Sequence, residues 1–331
     1  MRNTQKTSIF IVGASRSGTT VLAESLGRHP NIHSCRELHY YNLLHPKLLK
    51  QGFGGEPNTI ELLKKIELEN AILHVKNNFD DVCEELGFKE NQDIVSKKCL
   101  YKFFDFLRLN NNASVVVEQT PMNLFYTKEI EKEFPSSIFI TMTRDIRAIL
   151  ASQKNRWKVG ANGSEFIPEI DLKRVKYSGH PIIQLILFRK IAKNIKLMSQ
   201  KSNNIMLSYE GLILEPSKSI KSICTAIGIE YDAAMLSVSD KGSSHVKEVS
   251  SNGFDSSRLL SWKNSLTSTE TWLCQNFYPE FLYGDTISCK PKLTELLQLL
   301  VSFPYYLIRS VSLSINSYGN FFDALVLRFL K

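Results

Sequence analysis

The chain has 331 residues, of which 43% are hydrophobic and 22% are charged. This composition is typical of a folded globular protein and argues against extensive disorder. The net charge of +8 suits a polyanionic ligand or a membrane surface, but no run of Lys and Arg is dense enough to indicate a nucleic-acid-binding protein.

The first predicted element is a buried strand that leads directly into a glycine-containing turn. Residues 9–12 are a continuous apolar run, residues 13–20 read GASRSGTT, and a helical pattern begins at Val21. A strand, a turn and a helix in this order place backbone N–H groups and a helix N-terminus around an anion. The sequence therefore predicts a phosphate-binding loop here.

This loop departs from the Walker A motif of nucleotide triphosphatases. Gly13 and Gly18 have the required spacing, but Thr19 occupies the position of the lysine and the basic residue is Arg16, inside the turn. Without that lysine a kinase or ATPase would lose a contact with the β- and γ-phosphates. The pattern disfavours this class, and a tight turn without a ligand is the other alternative.

The run Arg-Ser-Gly-Thr-Thr, followed by His29, Pro30 and Glu37, resembles the sulfotransferases that use 3′-phosphoadenosine-5′-phosphosulfate (PAPS). Within them it is most similar to the branch that holds tyrosylprotein, carbohydrate and many bacterial sulfotransferases. The resemblance implies that Glu37 is the catalytic base and that Arg16 also acts in catalysis. It implies that the donor's 5′-phosphosulfate is held by Arg16, Ser17, Gly18, Thr19 and Thr20.

The second and third predicted strands, residues 31–35 and 114–117, each end in polar residues. Glu37 follows the second strand, and Gln119 follows the third. A carboxylate just beyond a parallel strand lies at the ligand edge of a sheet, although a solvated loop acid is the simpler alternative. Residues 42–112 between these strands are predicted to form a helical insertion, and the resemblance implies that it lies on the acceptor side.

Gln119 is the main departure from the family pattern. Many relatives have a lysine here, which helps to stabilise the leaving oxygen, whereas glutamine can donate a hydrogen bond but carries no charge. Either Arg16 supplies the positive charge alone, or another basic residue compensates, or the activity is weak. A non-catalytic binding protein with the same fold is a further alternative.

A second anion site is predicted after the fourth strand, residues 137–142. Arg144 follows this strand, and Ser152 comes eight residues later on a predicted helix, about two turns away. An arginine and a serine that converge on one anion form a good phosphate site, with a structural ion pair of the arginine as the alternative. The resemblance implies that this pair binds the donor's 3′-phosphate.

Three more residues are candidates for donor binding by resemblance. Tyr209 follows the fifth strand, residues 204–207, and the resemblance places it near the adenine; a buried core tyrosine fits almost as well. Arg258 and Lys263 belong to a late segment that resembles the family's basic loop over the donor. They are predicted phosphate contacts, with solvated loop charges as the alternative.

Together these elements predict an α/β protein of the P-loop type, with three layers and a mainly parallel sheet of about five strands. We expect one domain over residues 1–290 and an amphipathic helical tail over residues 291–331. Pro304, Arg309 and Asn316 interrupt the apolar run of the tail before it reaches the ~20 residues that span a bilayer. The tail is expected to bind a membrane surface, to pair with a partner or to pack on the domain.

Cysteine and histidine usage gives further expectations. The six cysteines contain no C-x-x-C pair, which indicates reduced thiols in a cytoplasmic protein, with peripheral membrane attachment through the tail left open. No signal peptide is expected, since residues 1–8 are short and polar. His29, His33, His39 and His45 lack a zinc motif, so no metal site is expected.

The expected activity is therefore transfer of a sulfuryl group from PAPS to an acceptor hydroxyl, with adenosine 3′,5′-bisphosphate as the second product. A carbohydrate or glycolipid is the first choice of acceptor, and a protein tyrosine or a small alcohol is the alternative. A P-loop nucleotide kinase remains the alternative from a different class.

Overall fold

The computed structural model describes residues 7–35, 37–41, 99–161, 169–238 and 254–313. These residues contain a five-stranded sheet with the strand order β2-β3-β1-β4-β5. The strands are β1 (Thr7–Gly13), β2 (Ile32–Ser34), β3 (Val115–Glu118), β4 (Ile138–Thr143) and β5 (Asn204–Ser208). β1 pairs in parallel with β3 and β4, and β2 pairs in parallel with β3. The α/β fold and its parallel sheet are confirmed.

The helices lie between and after the strands, as the predicted pattern requires. Within the described ranges they begin with α1 (Thr19–Leu26), α2 (Cys99–Asn110), α3 (Thr127–Glu133), α4 (Ile146–Ala161) and α5 (Glu169–Ser178). These are followed by α6 (Pro181–Met198), α7 (Tyr209–Leu214), α8 (Pro216–Ile227), α9 (Ser268–Phe277) and α10 (Leu293–Ser312).

The chain divides into two compact units. The first comprises Met1–Met142, Ile195–Asp240 and Asn252–Phe254, and it contains the sheet. The second comprises Thr143–Asn194, Lys241–Ser251 and Asp255–Lys331, and its described residues are mainly helical. The predicted boundary at residue 290 stays a prediction.

The first unit is built around β1, the central strand of the sheet. Residues 9–12 have no exposed surface. The ring centroid of Phe10 lies 5.7 Å from that of Phe104, 5.2 Å from that of Phe134 and 6.0 Å from that of Phe139. This burial on both faces explains why the strand reads as a continuous apolar run.

The strand order sets the position of the ligand edge. From β1 the chain passes to β2 on one side of the sheet, and after β3 it crosses to β4 on the other side of β1. In open α/β sheets ligands bind beyond the carboxyl ends of the strands where the connections diverge in this way. The turn after β1 is therefore at the point where a ligand is expected.

In the second unit, α10 runs through Pro304, which interrupts the apolar run without ending the helix. Tyr177 of α5 contacts the rings of Tyr305 and Tyr306 on α10, with centroids 5.8 and 5.4 Å apart. Among the described residues no helix is long and apolar enough to cross a bilayer. Residues 42–98 of the predicted insertion and residues 314–331 of the tail lie outside the described part of the chain.

Candidate active site

The turn after β1 has the backbone geometry of an anion-binding loop. Arg16 (φ 76°) and Gly18 (φ 92°) both adopt left-handed conformations. Ser17 is fully buried between them, and its N–H and hydroxyl donate to the carbonyl of Ala14 at 3.1 and 2.7 Å. Gly18 is also the N-cap of α1 and has no side chain to satisfy the first N–H groups of that helix. A loop of this kind fits a phosphate.

Two glycines of the loop are required by their surroundings. At Gly13 (φ 147°) a β-carbon would lie 2.4 Å from the carbonyl oxygen of Met142 on β4. At Gly18 a β-carbon would lie 2.3 Å from Cδ2 of Tyr209, which is 5% exposed. Tyr209 thus packs on the loop; its predicted proximity to the adenine stays a prediction.

Gln119 is in contact with the loop. It is buried, and its Oε1 accepts a hydrogen bond of 3.5 Å from the hydroxyl of Thr20. The carboxyl end of β3 is therefore joined to the first turn of α1 by a neutral contact. The residue that departs from the family pattern therefore contacts the loop.

Glu118, one residue earlier, is the centre of a buried hydrogen-bond network. Its carboxylate accepts from the N–H of Leu38 at 3.1 Å, from the N–H and hydroxyl of Thr120, and from Nδ2 of Asn123 at 2.6 Å. Burial raises the pKa of Glu118 to about 7, although these hydrogen bonds act in the opposite direction. Glu118 thereby fixes the backbone directly after Glu37.

Thr120, in the same segment, holds the next residue along the chain. The hydroxyl of Thr120 accepts a hydrogen bond of 3.1 Å from the N–H of His39, which has a left-handed backbone (φ 53°). The Nε2 atom of His39 lies 3.2 Å from Oε2 of Glu37. The side chains of Glu37 and His39 are 35% and 32% exposed, so the carboxylate stays accessible to a substrate.

The second unit contains the predicted 3′-phosphate residues. Arg144 directly follows β4, and Ser152 lies on α4; both are partly buried. Asp145 and Arg147, which are almost fully buried, form an ion pair with a shortest N–O distance of 2.6 Å. This pair fixes the turn between β4 and α4, and with it the backbone next to Arg144.

The Arg147 guanidinium is anchored on several sides within this unit. It donates to the carbonyls of Tyr283 and Asp285 at 2.8 and 3.2 Å and to Oε1 of Gln275 at 3.1 Å. Its Cζ lies 4.1 Å from the centroid of the Trp262 ring. An arginine with so many partners is structural rather than available to a ligand.

Trp262 attaches the late basic segment to α4. It is 2% exposed and packs against Ala148 and Ala151 of that helix. In the same segment Nε of Arg258 lies 3.4 Å from Oδ2 of Asp255, and Lys263 is exposed. The segment that contains Arg258 and Lys263 is thus packed on the helix that carries Ser152.

The predicted residues fall into two groups, one in each unit. The first unit contains Arg16, Ser17, Gly18, Thr19, Thr20, Glu37 and Tyr209. The second unit contains Arg144, Ser152, Arg258 and Lys263. No group of three or more His, Cys, Asp or Glu residues able to hold a metal ion occurs in the described ranges.

Comparison with known proteins identifies the family. A model of the sulfotransferase family matches residues 8–233, and the chain therefore belongs to this family and is a sulfotransferase. A Caenorhabditis briggsae protein named "Putative protein-tyrosine sulfotransferase" is 24% identical over 233 residues, which are 69% of this chain and 68% of the relative.

A solved structure shows the same fold. The sulfotransferase domain of the curacin biosynthetic pathway is 18% identical, with a TM-score of 0.51 over 83% of this chain and 98% of that domain. The sulfotransferase domain of the Synechococcus PCC 7002 olefin synthase is 16% identical, with a TM-score of 0.49 over 91% and 95% of the two chains.

Sequence reasoning missed the residues that support the site. Glu118 and Thr120 were not singled out from the sequence, although a carboxylate at the end of a buried strand is unusual enough to indicate a network. His39 was considered only among the histidines that lack a zinc motif. The sequence did not indicate a structural role for Arg147, because a single arginine in a helical pattern is normally exposed.

Proposed function

We propose that this sulfotransferase transfers the sulfuryl group of PAPS to a hydroxyl group of a carbohydrate or glycolipid, with Glu37 as the general base. The observation that carries the proposal is the double attachment of the segment after β3. Gln119 contacts the phosphate-binding loop at Thr20, while Glu118 and Thr120 hold the two backbone N–H groups that directly follow Glu37, those of Leu38 and His39. One short segment thus couples the predicted donor loop to the predicted base.

The roles of the residues follow from the chemistry of the transfer. Glu37 takes the proton of the acceptor hydroxyl as its oxygen bonds to sulfur. The bond from sulfur to the bridging oxygen breaks, and that oxygen leaves on the 5′-phosphate of adenosine 3′,5′-bisphosphate. Arg16 and the N–H groups of the loop stabilise the negative charge that develops there. Positioning and electrostatics carry most of such a reaction, as in phosphoryl transfer.

The 3′-phosphate of the donor is assigned to Arg144 and Ser152. A guanidinium at a strand end and a hydroxyl two helical turns later suit a phosphate. Titration with adenosine 3′,5′-bisphosphate and with ADP distinguishes this role from binding of an ordinary nucleotide. Weaker binding of the bisphosphate than of Mg–ADP would refute the assignment.

The proposal also names the acceptor, and the surface of α10 supports a lipid-linked acceptor. Its exposed apolar side chains recur along one face of the helix and occupy an arc of about 140°. They are Leu293, Leu297, Leu300, Val301, Tyr305 and Ile308, which are 51–78% exposed. The exposed Lys290 and Lys292 precede the helix, and the chain is basic overall. An apolar face beside cations fits the surface of an anionic membrane.

Vesicle binding tests this attachment. The full chain is expected to sediment with vesicles containing phosphatidylglycerol, and Val301→Glu to reduce the bound fraction severalfold. Leu109→Glu is the matched control, because Leu109 is 75% exposed but lies on α2. An equal loss of vesicle binding in both variants, or no vesicle binding by the wild type, would contradict the membrane assignment. The apolar face of α10 would then be expected to pack against a protein instead.

A protein tyrosine is the second candidate acceptor, and the name of the Caenorhabditis briggsae relative favours it. Incubation with sulfur-labelled PAPS and parallel panels of lipid-linked glycans, free glycans and acidic tyrosine peptides separates the two. Label on glycans alone supports the first proposal. Label on tyrosine alone would replace it, while the assigned donor site and base would remain.

A further inference from the structure

The second unit contains a cavity of about 400 Å³ that none of the assigned roles uses. It lies between α4, α5, α9 and α10, and its volume is in the range of sites for small ligands. The lining residues that bear on its chemistry are Lys154, Trp157, Lys158, Lys176, His180 and Tyr306. The cavity therefore combines cations, aromatic rings and an imidazole.

His180 has hydrogen-bonding capacity that its described neighbours do not use. It is 5% exposed, and its Nε2 lies 3.0 Å from the hydroxyl of Ser302, which also lines the cavity. Its Nδ1 has no hydrogen-bond partner among the described residues. Burial lowers the pKa of His180 to about 4, so the imidazole is neutral near pH 7. A neutral imidazole suits a hydroxyl group, which can donate or accept.

The charges of the residues that line the cavity favour a ligand that carries an acidic group besides its hydroxyls. Glu270 accepts two hydrogen bonds of 2.8 Å from Lys154. Glu295 accepts from the N–H of Thr269 at 3.1 Å. Both carboxylates thus have partners already. Lys158, by contrast, forms no ion pair with any described carboxylate.

The remaining lysine of the lining is held over an aromatic ring. The Lys176 ammonium lies 4.9 Å from the centroid of the Trp157 ring. Tyr306 completes an aromatic wall, with its ring centroid 5.0 Å from that of His180. Aromatic rings of this kind pack against the apolar C–H faces of sugars, while their polar edges stay hydrated.

We propose that this cavity binds a carbohydrate that carries an acidic group, such as a uronate, as part of the acceptor; this rests on the proposed transfer to a carbohydrate. Sugar hydroxyls donate to Nδ1 of His180 and to the oxygen of Ser302, whose own hydroxyl donates to the carbonyl of Gln298 at 2.7 Å, and the acidic group lies near Lys158. The cavity and the 3′-phosphate site share α4. Asn155, in the lining, is three residues beyond Ser152, or about 4.5 Å along the helix axis.

The test measures binding without the donor, using the full chain and isothermal titration calorimetry. The probes are a hyaluronan tetrasaccharide, which carries glucuronate, the neutral cellotetraose, and an acidic peptide rich in glutamate. The wild type is expected to bind hyaluronan at least fivefold more tightly than cellotetraose. Lys158→Gln should remove most of this preference.

Lys193→Gln is the matched control, since Lys193 is an exposed lysine of the same unit outside the cavity lining. It changes the net charge equally and should leave binding unchanged. Equal weakening by both variants would mean that overall charge attracts the glycan, which would overturn the proposed site. Stronger binding of the acidic peptide, or no binding of hyaluronan, would also overturn it.

Titration of each variant with adenosine 3′,5′-bisphosphate separates this inference from the proposed function. Normal nucleotide binding with no glycan binding refutes the cavity assignment alone. Glycan binding without nucleotide binding refutes the donor site and leaves a carbohydrate-binding cavity. A second variant, Ser302→Ala, should weaken hyaluronan binding without a change in charge.

Discussion

The ring of Tyr209 lies against the backbone of Gly18, so closely that a β-carbon on residue 18 would be 2.3 Å from Cδ2 of the ring. Tyr209 begins α7, directly after β5, and Gly18 is the N-cap of α1, at the end of the turn that follows β1. The left-handed backbone of the loop is therefore supported by a residue nearly two hundred positions away. Tyr209 acts on the shape of the loop whether or not it also contacts a nucleotide.

We predict that Gly18→Ala impairs both folding and nucleotide binding. A non-glycine residue in a left-handed conformation costs about 1–3 kcal/mol, and the contact with Tyr209 adds to this cost. Gly228→Ala is the control, because Gly228 also has a left-handed backbone (φ 75°) but no atom within 4 Å of an added β-carbon. Urea unfolding of both variants isolates the effect of Tyr209. Equal destabilisation would show that the packing contributes nothing.

Glu37→Gln should lower turnover by about 10²–10⁴-fold, the usual contribution of a general base. Binding of adenosine 3′,5′-bisphosphate should be unchanged, because the backbone contacts around Glu37 do not involve its side chain. Glu24→Gln, which removes a carboxylate paired with Arg28 on α1, is the control. Near-normal turnover of Glu37→Gln would show that another group is the base.

The buried carboxyl of Glu118 should give the stability of the protein a measurable pH dependence. Burial raises its pKa from 4.5 to about 7, so the folded state holds a proton that the unfolded state releases first. The stability that this proton contributes is complete below about pH 4.5 and is lost as the pH rises to about 7.

Urea unfolding at several pH values in this window, on the wild type and on Glu118→Gln, measures the effect. The variant should be less stable at the low end of the range, because its amide cannot accept all of the carboxyl's hydrogen bonds. It should also lack the part of the slope that Glu118 causes. The same slope in both proteins would mean that Glu118 does not titrate in this range.

Arg147→Met should destabilise the protein by about 3–5 kcal/mol, because it leaves the buried carboxylate of Asp145 without its cation. Arg156→Met, on an exposed position of the same helix, should change stability by less than about 0.5 kcal/mol. Thermal unfolding of both variants provides the comparison. A loss of nucleotide binding at full stability would instead assign Arg147 to the ligand.

The sequence predicted β1, β3, β4 and β5 because each contains a short apolar run, whereas β2 is mostly polar. It predicted the loop because Gly13, Arg16 and Gly18 have a recognisable spacing. The ends of the strands differ from the predicted ends by up to two residues. Apolar periodicity sets the existence of an element, whereas local hydrogen bonds set its ends.

The supporting contacts could not be predicted, because they join residues far apart in the chain. The bond between Thr20 and Gln119 depends on the order of β1 and β3 in the sheet. The contact between Leu38 and Glu118 depends on the pairing of β2 with β3. Neither follows from local propensity or motif spacing.

The most direct test of the account is a calorimetric titration of the full chain with adenosine 3′,5′-bisphosphate, repeated with Arg144→Ala and with ADP in the presence and absence of Mg²⁺. The account predicts metal-independent binding that requires the 3′-phosphate and falls at least tenfold in Arg144→Ala. Binding of Mg–ADP as tight as that of the bisphosphate, or unchanged binding by Arg144→Ala, would contradict it.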